Sequence, residues 1–363
     1  MSAHLAHGLG TDPVAPDWPP LTDAEVTAVV GPARVVWRSP RPLSAAAVAE
    51  RNGRRLFVKR HHVRVRSAEG LAEEHAFLRH LRGRGAPVVE VLDAVRRGVW
   101  TYEVHSAGTG TDLYRDALSW SPFRSPGHAR AAGAALARLH RAAEGFDAPR
   151  RRAQPLVASF TVFAAAGDPS PRLDRYVAER PALRRALAGY PWRADTRRVL
   201  LPLHERLAPH LAGLEPLWTH NDWHASNLLW DADGDVATVL DFGMSDRTTA
   251  VHDLATAIER NAVQWLEPGF PVRTADALAL LDGYRSVRPL SPAESAALPE
   301  LLPLVHAEFA LSEMGYFHGV TRSPENTRLA YAYYVGHAEW FTGARGRGLL
   351  DRLRERCAAA PPR

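Results

Sequence analysis

Through the first hundred residues, apolar and polar positions alternate in short runs that turns interrupt. "AVAERNGRRLFVKR" (47–60) sets Asn52-Gly53 between two such runs. Both central positions of a tight hairpin need positive φ, so this dipeptide predicts a turn joining two antiparallel strands. Period-two alternation puts Phe57 and Lys59 on one face of the returning strand and Leu56 and Val58 on the other. "SAEGLAEEHAFLRHLRGRG" (67–85) changes to helical spacing, with Leu71, Phe77, Leu78 and Leu81 together and Gly83 or Gly85 as the stop. "PVVEVLDAV" and "VWTYEVH" read as two further strands around a turn at Arg96-Arg97-Gly98. Counting Val35 to Trp37 as the first, the pattern predicts about five antiparallel strands with one helix inserted after the third.

Past His105 the pattern becomes mainly helical. "SAGTGTDLY" is a glycine-rich connector, and "HARAAGAALARLHRAAE" aligns Ala132, Leu136, Leu139 and Ala143 on one face. Helical spacing recurs over 172–188, 196–212, 250–264, 275–284, 293–315 and 324–341, with no repeat period. The expected class is α+β: a tail over 1–20, a sheet lobe over 21–105, a larger helical lobe over 106–345, and a tail over 346–363.

Composition narrows the chemistry. A hydrophobic content of 46% with 23% charged residues describes a soluble globular chain with enough length for a large core. Cys357 is the only cysteine, which excludes a disulfide framework and a thiolate metal site. The first twenty residues lack a basic start and an apolar run, and no later run is long enough to span a bilayer, so a cytoplasmic location and no membrane partner are expected. A net charge of +5 spread among acidic neighbours, without a reading motif, argues against nucleic acid.

The basic residues hold a sharper signal, because 44 of the 45 are arginine and Lys59 is the sole lysine. An arginine fork is wide and planar, whereas an ammonium is a compact point charge that fits between phosphate oxygens and a carboxylate. Either Glu73 or Glu74 of the following helix could turn toward it.

The densest polar stretch is "HNDWHASNLLW" (220–230), followed by "DADGDVATVLDFG". "SNLLW" and "VATVLD" flank a turn, and pairing them as a hairpin brings Asn227 beside Asp241 from fourteen positions apart, with Asp222 able to reach the same volume. An amide and a carboxylate oxygen suit Mg²⁺, which takes its remaining ligands from water and phosphate, and the additional carboxylate can accept a hydroxyl proton. Two competing readings are weaker. His220 and His224 have i, i+4 spacing, but Asn221 stands where a zinc protease carries glutamate, on a segment that does not read as helix. Asp231, Asp233 and Asp235 open like a calcium loop, yet Val236 and Phe242 fill the positions that need glycine and an acid.

"HNDWHASN" followed by "LDFG", preceded in order by Lys59, the Glu73/Glu74 helix and "YEVHSAG", resembles the aminoglycoside phosphotransferase and choline kinase-like family, which shares its fold with protein kinases. The likeness covers roughly residues 30 to 345. It implies a two-lobed protein kinase-like fold and ATP- and Mg²⁺-dependent transfer of a γ-phosphoryl group to a hydroxyl of a small molecule, such as an aminoglycoside or other antibiotic, a nucleoside or an amino alcohol. It implies further that Asp222 is the catalytic base, that Asn227 and Asp241 hold Mg²⁺, and that Lys59 faces the α- and β-phosphates with Glu74 as its partner, Glu73 being the alternative. The backbone of Glu103 and His105 would hold the adenine edge, and Asp253 would brace the catalytic loop.

Two departures stand out: Asn221 replaces the family's usual glycine, and the nucleotide-covering loop "RSPRPLSAAA" has none, leaving backbone amides, Ser39 or Ser44 for phosphate contact. Polar and aromatic residues of the helical lobe, among Glu308, Glu313, His318, Glu325, Glu339, Trp265, Tyr316, Phe317 and Trp340, are acceptor-pocket candidates, against the plainer reading of solvated glutamates and core aromatics. The alternatives are a kinase-like nucleotide-binding module without turnover and a metal-dependent hydrolase. The sequence sets no oligomeric state.

Overall fold

The computed structural model describes residues 15–41, 43 and 45–360. Strands β1 (Arg34–Arg38), β2 (Ala45–Arg51), β3 (Arg54–His62), β4 (Val91–Arg97) and β5 (Trp100–Ser106) form an antiparallel sheet in the order β1-β2-β3-β5-β4. Asn52 and Gly53 have φ of 50° and 74°, the two left-handed positions that the β2–β3 hairpin demands. Helix α2 (Ala68–Gly83) follows β3, its first turn capped by the Ser67 hydroxyl, which accepts from the Gly70 N–H.

Each face of the sheet has its own cover. Val58, Tyr102, Val104 and Ala45, Ala47 and Ala49 of β2 pack against α1 (Asp23–Val30), whose Val26 and Val30 are buried one turn apart beside Leu21. Full burial of each such side chain contributes about 1.5–3 kcal/mol. This helix was not expected, although Thr22 and Glu25 form a capping box at its start. The other face carries Lys59 and Glu103, directly opposite one another in the β3–β5 ladder, toward α2 and the larger lobe.

The larger lobe starts from the connector after β5. Its backbone lies on a hairpin of β7 (Leu228–Trp230) and β8 (Val236–Val239), introduced after β6 (Pro216–Thr219). The Thr109 N–H donates to the Thr238 hydroxyl at 2.9 Å, and a Cβ on Gly110 would come within 2.8 Å of the Ala237 side chain, so glycine permits the close approach. Helix α3 (Pro126–Ala143) buries Ala132, Leu136, Leu139 and Ala143. The helices α4 (Ser170–Ala178), α5 (Pro181–Ala186), α6 (Trp192–Asp195) and α7 (Leu201–Leu207) come before β6, and β9 (Asp246–Thr249) pairs with β6 before α8 (Ala250–Ala262). The lobe is completed by α9 (Thr274–Val287), α10 (Pro292–Leu301), α11 (Ala307–Tyr316), α12 (Pro324–Trp340) and α13 (Ala344–Ala358). Gly283 of α9 sits so close to α3 that a Cβ there would meet the Arg130 carbonyl at 1.9 Å.

Both expected tails are corrected where the structure describes them. Trp18 stacks on His62 and meets Trp100 edge-on, and Asp17 accepts from the Tyr316 hydroxyl at 2.7 Å, which fastens this segment to both lobes. Residues beyond 346 continue α13, because Leu349, Leu350 and Leu353 share one apolar face and are buried. Among the described residues no helix is long and apolar enough to cross a membrane.

Candidate active site

The loop after β6 is built from backbone outward. Asn221 takes φ of 60°, and its amide oxygen accepts from the Thr219 and Thr248 hydroxyls at 3.0 and 3.2 Å, which secures a conformation that asparagine tolerates better than most residues. Asp253, in the first turn of α8, accepts the N–H groups of His220 and Asn221 at 2.9 and 2.8 Å. Its own orientation comes from His140, which spans to the Tyr284 hydroxyl at 2.7 Å and to Asp253 at 3.0 Å. The tight α3–α9 contact thus reaches the loop through a chain of buried hydrogen bonds.

His220 completes the brace: its Nδ1 accepts the Asp222 N–H at 3.1 Å and its Nε2 donates to the Leu240 carbonyl at 2.8 Å. Both ring nitrogens are committed, so His220 cannot be half of a zinc pair, and the metal-dependent hydrolase reading falls with it. His224 lies outside any helix pairing with it and holds the Ser226 hydroxyl at 2.9 Å.

The Asp222 side chain is only 11% exposed. One oxygen pairs with the Arg260 guanidinium, and the other accepts from the Asn227 amide at 3.1 Å. Burial opposes its charge, yet His224 and Arg260 prevail and hold the carboxyl well below the usual carboxylate range. Arg260 was missed in the sequence. It lies seven positions after Asp253 on the same face of α8, spacing that allows one helix to brace the loop and grip Asp222. Trp120 and Phe309 lie against the guanidinium, 5.3 and 5.2 Å from its carbon.

The hairpin brings the remaining acid alongside. Leu228 pairs with Val239, and the Leu240 N–H donates to the Asn227 carbonyl at 2.9 Å, leaving Asn227 and Asp241 side by side. Asp241 has φ of 54° and accepts from the Gly243 N–H at 3.3 Å. Lys59 reaches across from the sheet lobe and places its ammonium 3.0 Å from both Asp241 oxygens. Enclosure in the cleft disfavours charge on Asp241, Lys59 favours it, and Asp222 works against it; the net result is a carboxyl below its usual range. Two charged acids repelling each other, and an Asn227 amide whose nitrogen is spent on Asp222 and whose oxygen is not, form an oxygen set that fits a hard divalent cation.

The sheet-lobe expectations fare differently. Glu74 is buried, but its nearest cation is Arg151 at 3.5 Å, while Glu73 lies 3.7 Å from Arg151 and 3.9 Å from Arg152. Burial works against the charge of Lys59; the field of Asp241, then of Glu103 and Glu74, outweighs it and raises the ammonium's pKa. Glu74 therefore acts on Lys59 at a distance, and Asp241 is its bonded partner. The backbone assignment of Glu103 and His105 is corrected. Both lie inside the ladder, with Lys59 and Phe57 of β3 on one side and Ala94 and Val91 of β4 on the other, which leaves no backbone group for an adenine edge. Their side chains form a cluster instead, in which the Glu103 carboxylate meets His61 at 2.8 Å, His75 at 3.0 Å and His105 at 3.2 Å. In the covering loop, the Ser39 hydroxyl accepts from the Arg41 N–H at 3.2 Å, and Ser44 lies outside the described residues.

A small antiparallel sheet lobe and a larger helical lobe, with this polar set in the cleft, define a protein kinase-like fold. Residues 44–290 match the phosphotransferase enzyme family, and the chain belongs to that family. It is similar to a homoserine kinase of Gluconobacter oxydans (strain 621H), 31% identical over 50% of this chain and 51% of that protein. A second homoserine kinase, from Gluconacetobacter diazotrophicus, is 29% identical over 67% of this chain and 62% of its own length. The chain spans about half the length of the first of the curated relatives it matches. Among solved structures, an ethanolamine kinase of Plasmodium vivax aligns with a TM-score of 0.58 over 88% of this chain and 84% of that one, at 10% identity, a likeness of fold.

Proposed function

We propose that the protein transfers the γ-phosphoryl group of ATP to a hydroxyl of a small amine-bearing alcohol. The observation that carries this reading is the contact of the sole lysine with Asp241 across the cleft, beside an ionised Asp222 already oriented by Arg260 and Asn227. Asn227 and Asp241 would hold Mg²⁺, and Lys59 would face the phosphates. When bound, the ion offsets charge on phosphate oxygens, which matters because phosphoryl transfer passes through a loose transition state whose charge lies there. Asp222 orients the acceptor hydroxyl and takes its proton.

The amine preference is supported by two observations. Glu313 is buried with one carboxyl oxygen lacking a partner, and burial pushes its pKa up to about 8 against the pull of Arg260, so an ammonium brought beside it would restore its charge and gain an ion pair. The relatives named homoserine kinase are proteins whose named substrate is a hydroxyl-bearing amino acid, an alcohol that also carries an amine. Other acceptor candidates are accounted for structurally: Glu308 is consumed by the Thr161 and Val162 N–H groups, Glu325 and Glu339 are exposed, and Tyr316 and Phe317 are core.

The test incubates the purified protein with ATP and Mg²⁺ against homoserine, ethanolamine, choline, aminoglycosides and nucleosides, reading ADP release and the acceptor's mass. The expected result is a gain of one phosphate on an amine-bearing alcohol. ATP binding with no acceptor phosphorylated would favour a nucleotide-binding module and overturn the proposal.

A further inference from the structure

Behind the Arg260–Asp222 pair, three elements of the larger lobe bring together Glu259 in the last turn of α8, His306 just before α11, and His337 near the end of α12. Glu259 and His306 are fully buried, and His337 is 14% exposed at its side chain. A potential ligand atom from each lies within 4.8 Å of the other two.

The hydrogen bonds around the group define which atoms are free. His306 Nε2 lies 3.1 Å from the Tyr334 carbonyl, which can only accept, so Nε2 carries the hydrogen and Nδ1 presents its lone pair. That Nδ1 is buried and has no partner. His337 Nδ1 lies 2.9 Å from one Glu259 oxygen, and the second Glu259 oxygen is buried with the Trp265 indole N–H as its neighbouring donor. A core polar cluster that served packing alone would not leave the His306 nitrogen bare, since buried polar groups are almost always paired. An imidazole whose far nitrogen is fixed on a backbone carbonyl is the usual arrangement around a metal-binding histidine. Stacking on Trp265 fixes the His337 ring as well.

Two nitrogens and one carboxylate select a zinc-class ion over Mg²⁺ or Ca²⁺, which prefer oxygen alone. Ligands at zinc distances subtend ~3.3 Å at the tetrahedral angle, near the 2.9 Å between His337 and Glu259.

We propose that Glu259, His306 and His337 form a zinc-class metal site that ties α8 to α11 and α12 behind the Asp222 loop. It is separate from any ion at Asn227 and Asp241 and does not depend on the phosphotransfer reading.

The experiment strips the full-length protein with chelator and titrates Zn²⁺, then Co²⁺, with neither nucleotide nor acceptor present. One ion per chain is expected, with the intense visible absorption of four-coordinate cobalt and a melting temperature that climbs with free Zn²⁺. His306→Gln and Glu259→Gln should each weaken Zn²⁺ binding at least ~10-fold. His75→Gln, in the other histidine–glutamate cluster, should leave it unchanged. Should one of the first two variants fail to fold, the other and His337→Gln carry the localisation. No stoichiometric ion in the wild-type protein, a weak octahedral cobalt spectrum, or binding that survives His306→Gln and disappears in His75→Gln would each overturn the site.

Discussion

Asp222 and Asp241 occupy one cleft yet are supported in opposite ways. Asp222 is 11% exposed and held entirely within the larger lobe, by Arg260, Asn227 and a loop that Asp253 and His220 brace. Asp241 is 41% exposed, sits on a left-handed residue, and takes its strongest partner from the opposite lobe. The first is preassembled, the arrangement that favours catalysis because no reorganisation is needed when charge develops. The second is a bridge, and its ammonium and carboxylate are the groups that a nucleotide phosphate and its cation would have to share.

Breaking the preassembled half should have the largest effect. Asp222→Asn preserves shape but removes the acceptor of the hydroxyl proton, so kcat should fall ~10²–10⁴-fold while nucleotide affinity stays near that of the wild type. Equal loss of nucleotide binding, measured by titration calorimetry, would mean that the residue acts through folding. Breaking the bridge comes next. Lys59→Arg keeps the charge but replaces a point donor with a planar fork, and should weaken nucleotide binding and turnover together. Wild-type kinetics in this variant would remove the significance of the sole lysine.

A subtler break concerns Arg260, which touches Asp222 and acts through it as a positioning residue. Arg260→Gln should lower kcat more than it raises the acceptor KM. Removing a neighbouring cation also raises the Asp222 pKa, so the acidic limb of the kcat/KM profile should move to higher pH by ~1–3 units. A variant with reduced kcat and an unmoved acidic limb would leave Arg260 with packing alone.

What the sequence disclosed follows the same division. Short-range geometry was legible: the Asn52-Gly53 hairpin, Asn227 beside Asp241 across a turn, and a positive φ at Asn221 all follow from neighbouring residues. Contacts set by docking were not. Whether Lys59 meets Glu74 or Asp241 depends on how the lobes close, and Arg151, 77 positions further along the chain than Glu74, occupies that carboxylate first. Glu103 and His105 looked available at the end of a strand, but β3 and β4 both extend alongside them. Arg260 shares a helix face with Asp253, yet only the docking of α8 against the loop decides what that face reaches.

The smallest expected effect tests whether the preassembled half depends on the core of its own lobe. His252 stands beside Asp253 on α8, packed on Phe160, with both ring nitrogens buried and unpartnered. Burial chiefly, aided by Arg260 and Arg150 against the pull of Asp253, pushes its pKa down to about 4. The unfolded chain then binds a proton near pH 6.5 that the folded protein refuses until about pH 4. Stability from this group is complete above pH 6.5 and declines as pH falls through that window, by at most ~3 kcal/mol. Urea unfolding at pH 7, 6 and 5 should show the decline in the wild type and a shallower one in His252→Leu. Identical slopes would mean that acid loosens the protein elsewhere, with the Lys59–Asp241 bridge the next place to look, and the contrast between the two halves would lose its energetic basis.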